Sequence, residues 1–74
     1  MKGKIMFKID DGKGWDVYED GIEVDNWQDA GLKVGLAVEK ATASIPIAVN
    51  DIDTSAGMFT DSDGRLWEFK FEED

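Results

Sequence analysis

The chain reads as a small α+β domain: an antiparallel sheet with one helix on a face, in the order β-β-β-α-β-β-β, over a single compact unit of residues 1–74. Three observations predict it. Short runs that alternate apolar and polar residues are separated by turn dipeptides. A middle segment, 26 to 43, carries apolar residues at helical spacing. The 42% hydrophobic content, with three Trp and four Phe, is enough to seed a core. That core is small, because a chain of this size buries only about 60% of its unfolded surface.

Residues 3 to 9 open the sheet. Ile5, Phe7 and Ile9 face one way and Lys4, Met6 and Lys8 the other, as in a half-buried strand. Asp10-Asp11-Gly12-Lys13-Gly14 reads as a loop, and Trp15 to Glu19 as a second strand. Asp20-Gly21 is a two-residue hairpin signal. A hairpin there pairs Glu19 with Ile22 and Val17 with Val24, and places Trp15, Val17, Ile22 and Val24 on one core-facing side.

In the middle segment Trp27, Ala30, Val34, Ala37, Val38 and Ala41 form one helical stripe. Asp25 can cap it, with Gln28 completing a capping-box pattern. As a strand, Leu32, Val34, Leu36 and Val38 alternate cleanly, and Gly31 and Gly35 each weaken a helix by about 1 kcal/mol. The four Ala favour the helix. The strand alternative leads to an all-β small barrel or sandwich. Beyond the helix, Ile45, Ile47 and Val49 alternate, and Pro46 suggests an edge position or the beginning of a strand. Asp63-Gly64 predicts a further hairpin, with Thr60 opposite Trp67 and Met58 opposite Phe69. Met58, Trp67, Phe69 and Phe71 then share a face.

Absent residue types narrow the function. There is no Cys and no His, so disulfides, thiolate metal sites and the Ser-His-Asp and Cys-His mechanisms are excluded. A substrate-sized cleft is not expected in so short a chain, and the expectation is no enzyme and no cofactor. The Asp61-Ser62-Asp63-Gly64 run has the look of a calcium loop. Taking Asp61 and Asp63 as its third and fifth positions puts Phe59 and Lys70 at the first and twelfth, where carboxylates are needed. Asp10, Asp11, Asp51 and Asp53 have no spacing that demands a metal, and none is expected. Gly12-Lys13-Gly14 is too short for a phosphate loop. No apolar run can span a membrane, and Met1-Lys2-Gly3-Lys4 does not open a signal peptide, so a cytoplasmic protein is expected. The three Trp could instead form a stacking platform for a ligand, although Trp15 and Trp67 fall on core-facing positions.

Charge is the extreme feature. Seventeen Asp and Glu oppose eight Lys and Arg, for a net −9. Residues 1 to 14 carry +2 and the rest −11. Direct nucleic-acid or membrane binding is disfavoured and a basic partner protein favoured. Lys2, Lys4 and Lys8 can pair across the sheet with Asp16 and Asp20. Candidate partner-binding residues are Asp16, Asp20, Glu23, Asp25 and Asp29. Leu32 and Leu36 join them, because they project from the helix opposite its apolar stripe. The expected function is a non-enzymatic, acidic protein-binding module, a monomer or homodimer. Its sharpest form is a nucleic-acid mimic that inhibits a basic nucleic-acid-binding partner. Small acidic anti-CRISPR and anti-restriction proteins of phages and mobile elements are analogous in size and charge alone. The alternative is a structural or assembly subunit, in a virion or multisubunit complex, that buries Leu32 and Leu36.

Overall fold

The computed structural model describes residues 1–10, 14–44, 47–53 and 57–74, with the backbone alone for 47–53. Strands β1 (Lys2–Ile9) and β2 (Asp16–Glu23) are followed by helix α1 (Trp27–Ser44), then by β3 (Ile47–Asp53), β4 (Met58–Asp61) and β5 (Leu66–Glu73). The α+β class is as the sequence predicts, and the helix disposes of the all-β alternative. The strands form one antiparallel sheet in the order β2-β1-β5-β4-β3. β3 is an edge strand, as expected for the segment that follows Pro46. The first and last strands lie side by side at its centre, with Ile5 opposite Phe71 and Phe7 opposite Phe69.

The element order differs from expectation by one strand, because Asp20-Gly21 makes no hairpin. β2 runs through it and pairs with β1 along its whole length. Gly3 opposes Ile22 and Ile5 opposes Glu19, so β2 carries one extra residue in the Asp20-Gly21 stretch. The step from Ile5 to Met6 then spans Glu19 to Val17, which leaves Tyr18 as a second insertion. Both are β-bulges. Gly21 has φ +70°, in the left-handed region that glycine enters freely, and its N–H donates to Asp20 Oδ1 at 2.7 Å.

The bulges change which side chains face the core. Tyr18 and Ile22 pack against it and Val24 is buried, whereas Val17 is exposed. Trp15 lies on the opposite face, beneath the Lys8 and Lys70 ammonium groups at 5.0 and 4.4 Å from its ring centre. The expected common face of Trp15, Val17, Ile22 and Val24 is therefore incorrect.

The Asp63-Gly64 turn does form a hairpin, with a loop one residue longer than expected. Asp61 N–H donates to Arg65 O at 2.9 Å, Gly64 N–H donates to Asp61 O at 3.0 Å, and Gly64 has φ +83°. Phe59 consequently opposes Trp67, and Met58 opposes Glu68. A shift of one residue exchanges the faces of a strand, so Phe59 rather than Met58 joins Trp67, Phe69 and Phe71.

α1 begins one residue later than its expected cap. Asn26, not Asp25, is the N-cap: its Oδ1 accepts from Asp29 N–H at 2.9 Å. Asp29, not Gln28, closes the box, and its Oδ2 accepts from Asp25 N–H at 3.0 Å. At 1.5 Å per residue the 18-residue helix is about 27 Å long. That exceeds the width of about 19 Å between the outermost of five strands, so one helix can connect β2 to β3 across the sheet. Ala30, Ala37, Val38 and Ala41 are buried and Val34 packs beside them, as the periodicity predicts. Trp27, the first member of that stripe, is 60% exposed and meets Phe71 edge-on at 5.7 Å.

The core is a layer of rings beneath a layer of small side chains. Phe59 stacks on Trp67 (5.5 Å), Trp67 on Phe7 (5.9 Å) and Phe7 on Phe69 (6.1 Å), while Tyr18 meets Phe69 edge-on at 5.3 Å. The helix meets this ring layer with the small side chains Ala37, Val38 and Ala41. Each aromatic pair contributes about 0.5–1.5 kcal/mol beyond its area.

Candidate functional site

The candidate residues separate into three places. Asp16, Asp20 and Glu23 lie exposed on β2, an edge strand of the sheet. Asp25 is exposed in the connection to α1. Asp29 sits in the first turn of α1, where its carboxylate is engaged in capping, so it is a structural residue. Leu32 and Leu36 are 66% and 53% exposed on the outer face of α1.

The fold brings two of these groups together. Between α1 and β2 runs an open groove of about 550 Å³, within the range of ligand clefts. Ile22, Leu36 and Ala37 supply its apolar lining, and Glu19, Asp20 and Glu23 one acidic bank. Leu32, Asp16 and Asp25 do not line it. It is an open surface groove, not an enclosed cleft. Glu19 and Glu39, which the sequence reading passed over, both line it. Glu19 had a signal, since it lies within the Lys-free acidic run 16–29. Its place opposite α1 depends on the bulges and has none.

Charge pairing sets β2 apart. Lys8 pairs with Glu68 at 3.3 Å and Lys70 with Glu72 at 3.5 Å, both on β5 and its neighbour β1, across the sheet face away from α1. The expected pairing of the N-terminal lysines with Asp16 and Asp20 is not found. Among the described residues no Lys or Arg lies within ion-pairing distance of Asp16, Glu19, Asp20, Glu23 or Asp25.

The Asp61–Gly64 run is a hairpin turn. Asp61 is buried, and its Oδ1 accepts from the N–H groups of Asp63 and Arg65. The donated indole N–H of Trp67 chiefly holds its carboxyl below the ordinary value of 3.8. The two backbone N–H groups and the Arg65 charge add to this, and burial opposes it. Asp10 is likewise structural: its N–H donates to Leu66 O, and its Oδ1 accepts from Leu66 N–H, both at 2.8 Å. Asp11, Gly12 and Lys13, and the side chains of Asp51 and Asp53, lie outside the described residues. Among the described residues no three carboxylates gather as a metal site, and no buried side-chain nitrogen or oxygen lacks a partner. The three Trp are dispersed: Trp15 on the open sheet face, Trp27 at the start of α1, Trp67 in the ring layer.

No helix among the described residues is long and apolar enough to cross a membrane. No protein-family model, curated protein or solved structure matches the chain.

Proposed function

We propose that the chain is a non-enzymatic, cytoplasmic protein-binding module that presents an acidic edge to a basic partner protein, as a monomer or homodimer. In its sharpest form it is a nucleic-acid mimic that occupies the partner's nucleic-acid site. The observation that supports this reading is the row of exposed carboxylates on β2, Asp16, Glu19, Asp20 and Glu23, continued by Asp25. Acids with no ion pair among the described residues keep their field for a partner. At about 3.3 Å per residue they present about one charge per 6–8 Å, roughly half the linear density of one nucleic-acid strand.

The test neutralises Asp16, Asp20, Glu23 and Asp25 together, to Asn or Gln. These positions are exposed and like-charged, so stability should hold or rise slightly. Affinity for a partner captured from native lysate should fall, mainly through association rate and most at low salt, and nucleic acid should compete for that partner. Unchanged binding at every salt concentration would sink the mimic.

A second reading, an assembly subunit, draws on the exposure of Leu32 and Leu36. It expects the charge variant to assemble normally, Leu32→Asp with Leu36→Asp to abolish assembly, and little effect of salt.

A further inference from the structure

We propose that the groove between α1 and β2 seats an amphipathic helix of the partner protein. Its apolar ridge would rest on Ile22 and Leu36, and its Lys and Arg residues would face the carboxylates of Glu19, Asp20 and Glu23. The inference rests on the acidic-edge reading above and adds to it a mode of binding and a partner chemistry.

Two properties the sequence keeps apart meet in this groove. Leu36, half exposed on α1, and Ile22, on β2, both supply apolar surface to it. Beside them stand carboxylates with no ion-pair partner among the described residues. An acidic edge alone accepts any cation. An apolar strip flanked by acid selects a segment that carries an apolar ridge beside a basic flank.

The secondary structure of the partner follows from β2. An edge strand normally invites a further strand, held by a regular ladder of main-chain hydrogen bonds. β2 changes register twice within its eight residues, around Tyr18 and Gly21, and such bulges blunt an edge against pairing. A helix satisfies its own backbone and needs only side-chain contact, and it anchors through residues at i, i+3 and i+4. The groove has room for such anchoring side chains, not for a whole helix. Its α1 bank bears Lys33 and Lys40 beside Glu39, so the basic residues of the occupant are favoured on the β2 side.

The probe is a synthetic leucine–lysine peptide with Leu at helical spacing, matched by a peptide in which every Leu is Ser. Both are titrated against the intact chain at low and physiological salt. The protein variants are Leu36→Ser, Leu32→Ser, and Asp20→Asn with Glu23→Gln. All four positions are exposed, and circular dichroism verifies each fold.

The leucine peptide should bind more tightly than its serine match. Leu36→Ser should weaken the leucine peptide by about tenfold and leave the serine peptide unchanged. Leu32→Ser, outside the groove, should change neither. The acid pair should weaken both, most at low salt. Equal affinity for the two peptides, or equal effects of Leu36→Ser and Leu32→Ser, overturns the groove and leaves the acidic edge standing. Absence of binding by either peptide at low salt overturns both readings. A wild-type dimer in sedimentation that Leu36→Ser dissociates gives the groove to a second copy and overturns the helical partner.

Discussion

The indole N–H of Trp67 donates to Asp61 Oδ2 at 3.0 Å, while the Oδ1 of the same carboxylate accepts from the backbone of Asp63 and Arg65 at 2.9 and 3.0 Å. One side chain thus ties the β4–β5 turn to the ring that stacks on Phe59 and Phe7. Arg65 approaches Asp61 Oδ2 at 3.5 Å and donates to Asp63 Oδ2 at 2.9 Å, so it screens the turn from outside.

Trp67→Phe should raise the Asp61 pKa, because it deletes the main influence that lowers it while an aromatic ring remains. A carboxyl-carbon NMR titration reads this directly, and an unchanged Asp61 pKa would contradict the hydrogen bond. Trp67→Ala also loses the stack. It should cost about 3 kcal/mol in a denaturant melt, the low end for a large ring, since Trp67 is partly exposed.

Asp61 also sets an acid limit. Its folded pKa lies below 3.8, so the folded state favours the ionised carboxylate. The contribution to stability is fully present above about pH 4 and is lost as pH falls through the folded pKa. Protonating the surplus surface acids relieves repulsion and acts in the opposite sense, so the readout is the difference between two proteins. The gap in Tm between wild type and Asp61→Asn should be constant from pH 7 to about pH 5 and narrow below about pH 4. A gap that stays constant to pH 2 would count against this role.

Two glycines with equal space should respond with opposite sign. A Cβ added at Gly21 or at Gly35 meets no heavy atom within 4 Å. At Gly21 the φ of +70° penalises an L side chain, and Gly21→Ala should destabilise by about 1–2 kcal/mol. Gly35 lies within α1, and Gly35→Ala should stabilise by about 0.5–1 kcal/mol. A Gly21→Ala variant whose urea midpoint equals or exceeds that of wild type would refute the left-handed backbone at Gly21.

Asn26→Ala should cost about 1 kcal/mol by removing the acceptor for Asp29 N–H, whereas Asp25→Ala should cost less. Thermal melts that rank Asp25 above Asn26 would restore the cap to Asp25.

Sequence alone determined much of this protein. The Ala/Val stripe of α1, the outward Leu32 and Leu36 and the inward Ile5 and Phe7 follow from periodicities of 3.6 and 2, which are properties of one element. The surplus of acid around β2 is likewise plain in the sequence. Tertiary structure decided what the two Asp-Gly dipeptides do. At Asp63-Gly64 the flanking strands pair with each other, and a turn results. At Asp20-Gly21 both flanks pair with β1, and the same left-handed glycine becomes a bulge. A dipeptide fixes its own backbone angles but not the partner of its neighbours, which depends on β1 finding β2 on one side and β5 on the other. The groove is the product of that choice. It sets Ile22, Glu19, Asp20 and Glu23 on one bank and Leu36 on the other, a juxtaposition fixed by how β2 and α1 pack at long range, which no local pattern encodes.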